Sequence, residues 1–238
     1  MAKIKMGKPI DIHYSNRYFH FQRQHAIRDV FDALVELITN CDDSYHRLYK
    51  RKLRAEDGGR ILIDILPQRK GAKSIVIVRD KAEGMTLQIM REKLGDVGTR
   101  RSEEGDRGFM ARGAKDCTEL GSIKIQSIKD NKYYMCELTP KPQFIPWVNK
   151  HNVDKNLREE LHIERGNGTV VTLEIQPDHR IPRIDTIIRD LSRHFALRDI
   201  LSENSGTKCL VRNLNKPKSK PKKIVYMQPE GELVLCHS

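Results

Sequence analysis

Between residues 26 and 53, apolar side chains recur at three- and four-residue steps: Ile27, Val30, Phe31, Leu34, Ile38 and Cys41. That period predicts a long amphipathic helix. A helix with one apolar stripe must bury it against a second layer. The second layer is legible as strands. RILIDIL (60–66) and KSIVIVRD (73–80) are joined by PQRKGA, and residues 122–129 and 132–138 form a hairpin turning at Asp130-Asn131. GNGTVVTLEI (166–175) is a further strand with a glycine-bounded start. Helices are predicted over 86–94, 109–119, 153–164 and 183–197. Residues 10–25 read as an N-terminal arm with a short strand, 95–107 as a mobile glycine-bearing loop, and 140–150 as Pro-rich and irregular.

The polar side of the long helix holds Glu36, Asn40 and Asp43. Spacings of four and then three stand these side chains above one another. Either the stripe is a solvated face, for which Lys and Glu would serve as well, or it is one wall of a site.

Composition narrows the choice. The 238 residues carry a net charge of +12, which favours phosphate-rich partners such as nucleic acid or a nucleotide. Five widely spaced cysteines with no C-x-x-C suggest neither a disulfide framework nor a zinc site, and fit a reducing compartment. No run approaches the roughly 20 apolar residues of a membrane span, and the first residues lack the apolar core of a secretory signal. The expectation is a cytoplasmic, nucleoid or nuclear protein without a membrane partner.

Common catalytic signatures are missing: there is no G-x-x-x-x-G-K-[ST], no G-x-G-x-x-G after a strand, no H-E-x-x-H and no G-x-S-x-G. Three constellations remain. In the first, Glu36 can orient and deprotonate a water, and Asn40 can offer its amide oxygen to Mg²⁺. In the second, Asp80 ends an apolar strand in RDKAEGM (79–85), where a carboxylate can accept from an amino group and Gly84 lets backbone approach a flat ligand. The third, GFMARGAKD (108–116), puts small residues before a helix start, with Arg112 and Lys115 adding charge that suits an anion.

In order and type, these stretches resemble the boxes of the GHKL ATPase superfamily, the group that includes type II topoisomerase ATPase domains, ninety-kilodalton heat-shock chaperones, MutL-type repair proteins, MORC proteins and sensor histidine kinases. ELITNCDDS resembles E-L-x-x-N-x-x-D-A. RDKAEGM resembles the D-x-G-x-G box, GFMARGAKD the glycine-rich lid box, and GNGTVVTLEI the last box, a Gly-Thr pair leading a strand. The lid's G-A-K-D ending is most similar to the MORC-like branch. The resemblance spans about residues 20–176.

The resemblance implies an α+β Bergerat fold, a two-layer α/β sandwich with a mixed, mostly antiparallel sheet and helices on one face. It divides the chain into an arm (1–25), an ATP-binding domain (26–200) and a basic linker with short strands (201–238) that reads as an edge meander or the start of a second domain. It implies ATP and Mg²⁺ as cofactors. Glu36 would be the general base, Asn40 the magnesium ligand, and Asp43 a support of the helix-side wall. Asp80 would take the adenine amino group, with Thr169 sharing that contact and Gly84 and Met85 lining the base pocket. Gly108, Ala111, Arg112 and Gly113 would wrap the triphosphate, with Lys115 close by. In two boxes the family's middle glycine is replaced, by Ala82 and by Ala111, and an added methyl tolerates only some backbone angles.

The function expected is a Mg-dependent ATPase whose nucleotide state gates dimerisation of two subunits and binding of a nucleic-acid-linked partner. A histidine- or serine-kinase-type phosphotransferase is the alternative, and Glu36 argues against it because such kinases avoid activating water. A chaperone-type ATPase is a further alternative. Residues 203–223 hold seven Lys or Arg against one Glu. They make DNA or RNA an expected partner of this basic surface, although a run of this kind also serves as a solvated linker.

Overall fold

A computed structural model describes residues 7, 10–11, 13–14, 27–55, 57–68, 71–97, 113–141, 143–216 and 218–228. The long helix, α1 (Val30–Lys50), starts later than its apolar period because Asp29 caps it, accepting from the backbone N–H of Phe31 at 2.8 Å and of Asp32 at 3.0 Å. It ends before Lys52, whose φ of 59° leaves the helical region.

Against α1 lies a nine-stranded sheet. Its strands are β1 (Ile10–Asp11), β3 (Arg60–Leu66), β4 (Ser74–Asp80), β6 (Gly121–Lys129), β7 (Lys132–Thr139), β8 (Gln143–Asn152), β9 (Gly168–Ile175), β10 (Lys208–Asn213) and β11 (Lys222–Ile224). The order is β1-β8-β7-β6-β9-β4-β3-β10-β11, and every pairing is antiparallel except β3 with β10. A separate parallel pair joins β2 (His13–Tyr14) to β5 (Asp96–Val97). The other helices are α2 (Leu87–Leu94), α3 (Gly113–Asp116), α4 (Lys155–Leu161) and α5 (Ile184–Ser192). The result is an α+β, two-layer sandwich on a mixed, mostly antiparallel sheet, as expected, while the short helix α4 departs from the expected single helical face.

Strand period 2 assigns the two faces. Ile61, Ile63 and Ile65 of β3, Val76 and Val78 of β4, Ile123 and Ile125 of β6, and Leu173 and Ile175 of β9 all bury toward Leu34, Leu37, Ile38 and Tyr45 of α1. Each fully buried side chain of this size contributes about 1.5–3 kcal/mol of transfer free energy. On the opposite face α4 adds a smaller cluster, where Leu157 and Leu161 meet Ile77, Ile128, Met135 and Val170. The same face buries Asp64, which binds Arg79 and takes a two-pronged contact from Arg212, both bonds at 2.7 Å. That contact ties β10 to β3 and β4, so the C-terminal strands continue the same sheet.

The hairpin turn at Asp130-Asn131 is present. Both residues have positive φ, 49° and 58°, as a primed two-residue turn requires. The Pro-rich stretch is a correction: residues 143–152 form β8 rather than irregular chain. Pro146 lies opposite Cys136 of β7, and its carbonyl accepts from Gly7 on the other side. A strand residue points both backbone groups the same way, so Pro146 lacks a donor only on the side away from β7. Among the described residues no helix is long and apolar enough to cross a membrane. The expected strand at 232–238, most of the loop at 95–107, and most of the arm at 10–25 lie outside the described residues.

Candidate functional site

The polar stripe of α1 is not a wet face. Asp43 is 5% exposed, and Glu36 and Asn40 are half-buried. At 100° per residue Arg47 falls within roughly 20° of Glu36, so it extends the stripe, and it is 9% exposed. Arg47 donates to Glu83 at 2.7 Å, and Arg51 also pairs with Glu83 at 2.8 Å. The stripe therefore runs from Glu36 to the RDKAEGM turn. Asn40 Nδ2 donates to Glu36 Oε1 at 3.0 Å. Its amide nitrogen is committed there, which leaves the oxygen as the end that suits a hard cation. Burial raises the Glu36 carboxyl above the ordinary carboxylate range. The Asn40 hydrogen bond opposes this, and Asp116 and Asp43 reinforce it.

The second wall is a row across the sheet. Asp80 of β4 pairs in register with Thr169 of β9, and Thr169 with Ser127 of β6. All three continue the rows that face α1. Asp80 is 4% exposed and accepts from the Ala82 N–H at 2.9 Å. Burial pushes its carboxyl up to about 7, against the opposing pull of the Ala82 N–H and the Cys41 thiol of α1. Cys41 thus joins the helix to this row. Tyr45, one turn on, accepts at its hydroxyl from the Lys81 N–H at 2.9 Å and donates to the Arg60 carbonyl at 2.7 Å, which fixes α1 over the end of β4.

Gly84 has φ +64°, and a Cβ there would stand 2.2 Å from the Ile128 carbonyl. No other residue type fits this turn without strain. Ala82, in contrast, is buried in the core without a positive φ, so the methyl at that position fits an ordinary backbone. Met85 donates its N–H to Ser127 Oγ at 2.7 Å and packs against the main core. Gly168 lies so close to β4 that a Cβ would meet the Asp80 carbonyl at 2.6 Å.

The GFMARGAKD stretch meets the stripe through Gly113. A Cβ on Gly113 would stand 1.8 Å from Glu36 Cδ and 1.9 Å from Oε1, so the backbone of α3 rests directly on the Glu36 carboxylate. Lys115 is 3% exposed. The predicted helix at 109–119 is described only as the single turn of α3 followed by a 3₁₀ turn at Cys117–Glu119. Gly108, Ala111 and Arg112 lie outside the described residues.

The structure thus groups Glu36, Asn40 and Gly113 at one end of the α1–sheet interface and Asp80, Gly84, Met85 and Thr169 at the other, with Asp43 on the stripe between Asn40 and Arg47. Sequence reasoning missed Arg47 and Ser127. Arg47 carried a usable signal, because it continues the 36–40–43 spacing by one more step of four. Ser127 carried none, because its importance comes from strand pairing. Among the described residues no group of three His, Cys, Asp or Glu could hold a metal. A magnesium ion carried by phosphates needs only one or two protein oxygens, and Asn40 presents one amide oxygen of that kind. A scan of protein-family models finds no match for the chain, and a comparison with curated proteins finds none either.

Proposed function

We propose that this chain is a Mg-dependent ATP-binding and ATP-hydrolysing domain of the GHKL type. The observation that supports it best is the pairing of two different chemistries across one helix–sheet interface. One end offers a buried hydrogen-bond acceptor, Asp80, beside a glycine turn packed tightly against the Ile128 carbonyl. The other offers a carboxylate held by Asn40 under a glycine of the lid box. Magnesium bound with the nucleotide would neutralise the phosphates next to the acidic stripe. Glu36 would accept the proton of the attacking water, a role that its raised pKa suits. Asn40 holds Glu36 in place and would offer its oxygen to the metal.

In this reading the nucleotide state gates dimerisation and association with nucleic acid inside the cell. Support for the nucleic-acid partner comes from β11 and the chain leading to it from β10. Lys216, Lys218, Lys220, Lys222 and Lys223 are exposed there, and residues 204–228 contain seven Lys or Arg and no Asp or Glu. Asn215 pins this segment, donating to the Pro67 carbonyl at 2.7 Å, and Lys216 N–H bonds the Asn213 carbonyl at 3.0 Å. A pinned lysine surface is suited to phosphate contacts whose strength falls with salt.

A thermal-shift screen with ATP, ADP, a non-hydrolysable ATP analogue and GTP, each with Mg²⁺, tests the proposal. Adenine nucleotides should raise the melting temperature in a concentration-dependent way. No shift with any of them would refute it. Duplex DNA binding measured between 50 and 200 mM salt tests the partner: an affinity that does not fall with salt removes the basic loop from the account.

A further inference from the structure

Ser127 is wholly buried, and its hydroxyl has three neighbours. It accepts from the Met85 N–H at 2.7 Å, it donates to the Gly168 carbonyl at 2.8 Å, and it lies 3.4 Å from Thr169 Oγ1. A hydroxyl has one proton and two lone pairs. Its proton goes to the Gly168 carbonyl, which has no proton to give in return. In the contact with Thr169, Ser127 can then only accept. A bond across this 3.4 Å contact therefore has Thr169 as its donor, which would leave the Thr169 lone pairs for the site. Thr169 and Asp80 are adjacent in register on the helix-facing side, so with Asp80 ionised the site presents two acceptors side by side.

We propose that Ser127 is a specificity-determining positioning residue: by fixing the direction of the Thr169 hydroxyl, it makes the base pocket accept an exocyclic amine and reject a carbonyl oxygen at the same place. This rests on the nucleotide reading above. An exocyclic amine brings two N–H donors to two acceptors, whereas a carbonyl oxygen would face two sets of lone pairs. A buried site built for one hydrogen-bond pattern discriminates strongly against the reverse pattern. Ser127 also holds Met85, and so the turn at Gly84, against β6, which couples the shape of the pocket to its polarity.

The experiment compares ATP with inosine triphosphate, which carries a carbonyl oxygen in place of the amine, by calorimetric titration with Mg²⁺. The proteins are the parent chain, Ser127→Ala and Ser127→Cys. The parent should prefer ATP. In Ser127→Ala the Thr169 hydroxyl is free to rotate and donate, so the ATP-to-inosine-triphosphate affinity ratio should fall by about tenfold or more. Ser127→Cys, which keeps a weak donor and acceptor of similar size, should recover part of the ratio and keeps the test open should the alanine variant fail to fold. A purely structural role for Ser127 would weaken both ligands alike and leave the ratio within about twofold of the parent, and that result overturns the inference. A parent chain that binds neither nucleotide overturns the nucleotide reading itself, and this inference with it. A parent that binds ATP while the variants keep its ratio overturns this inference alone.

Discussion

The two ends of the α1–sheet interface are built by different means. At the Asp80 end, position comes from the sheet. Asp80, Thr169 and Ser127 stand in one register row, and Gly84 and Gly168 bring backbone to within contact of neighbouring strands. At the Glu36 end, position comes from side chains on one helix and from a glycine resting on a carboxylate. The glycines of the first end cannot be altered without disturbing backbone. The second end can be altered by moving the end of one flexible side chain.

Substitutions at each end should separate these two characters. The largest effect is expected for Glu36→Ala, which should lower ATP turnover by ~100- to 10,000-fold in a steady-state phosphate-release assay. Its melting temperature should be unchanged or higher, because burial disfavours that carboxylate. A variant that hydrolyses normally removes Glu36 from the chemistry. Gly84→Ala should instead act on folding. The combination of positive φ and a clash with the Ile128 carbonyl should cost about 2–5 kcal/mol, seen as a melting point lower by roughly 5–15 °C. At Gly113 the nearest atoms an added Cβ would meet all belong to the outer part of the Glu36 side chain, and φ is not positive. Gly113→Ala should leave stability within about 1 kcal/mol and reduce turnover by about tenfold or more through displacement of Glu36. Equal melting points for the two alanine variants would erase the contrast.

The smallest effect is a pH dependence at the rigid end. Burial raises the Asp80 pKa from 3.8 to about 7. Across that window the folded chain holds a proton that the unfolded chain has released. The Asp80 contribution to stability is therefore present at low pH and is lost as pH rises toward 7. A ligand amine favours the carboxylate, so ATP affinity should increase from pH 6 to pH 8 by up to roughly tenfold as Asp80 ionises. Flat affinity over this range, in titrations on the parent chain, would mean that Asp80 does not meet the ligand.

The same contrast explains what could be read in advance. Features set by local sequence were legible: the α1 period, the strand runs at 60–66 and 73–80, the Asp130-Asn131 turn, and the 36–40–43 spacing. Features set by pairing between distant segments were not. β8 was obscured by Pro142 and Pro146, which break the local strand pattern, although Pro146 loses nothing on its β7 side. The parallel pairing of β10 with β3 joins positions 148 residues apart, as Arg212 and Asp64 show. The bond from Thr207 to buried Asp42, at 2.9 Å, links the start of β10 to α1 and follows from that pairing. Ser127 belongs with these. Nothing in GSIKIQSIK (121–129) distinguishes one serine from the other, but only Ser127 falls on the row shared with Thr169 and Asp80.

The most direct test is calorimetric titration of Mg-ATP into the parent chain and into Asp80→Asn at pH 8, where the Asp80 carboxylate is ionised. The account predicts saturable binding at one site per chain in the parent and an affinity about tenfold or more weaker in the variant, because an amide presents one acceptor oxygen in place of a carboxylate. An Asp80→Asn chain that binds ATP as tightly as the parent would contradict it.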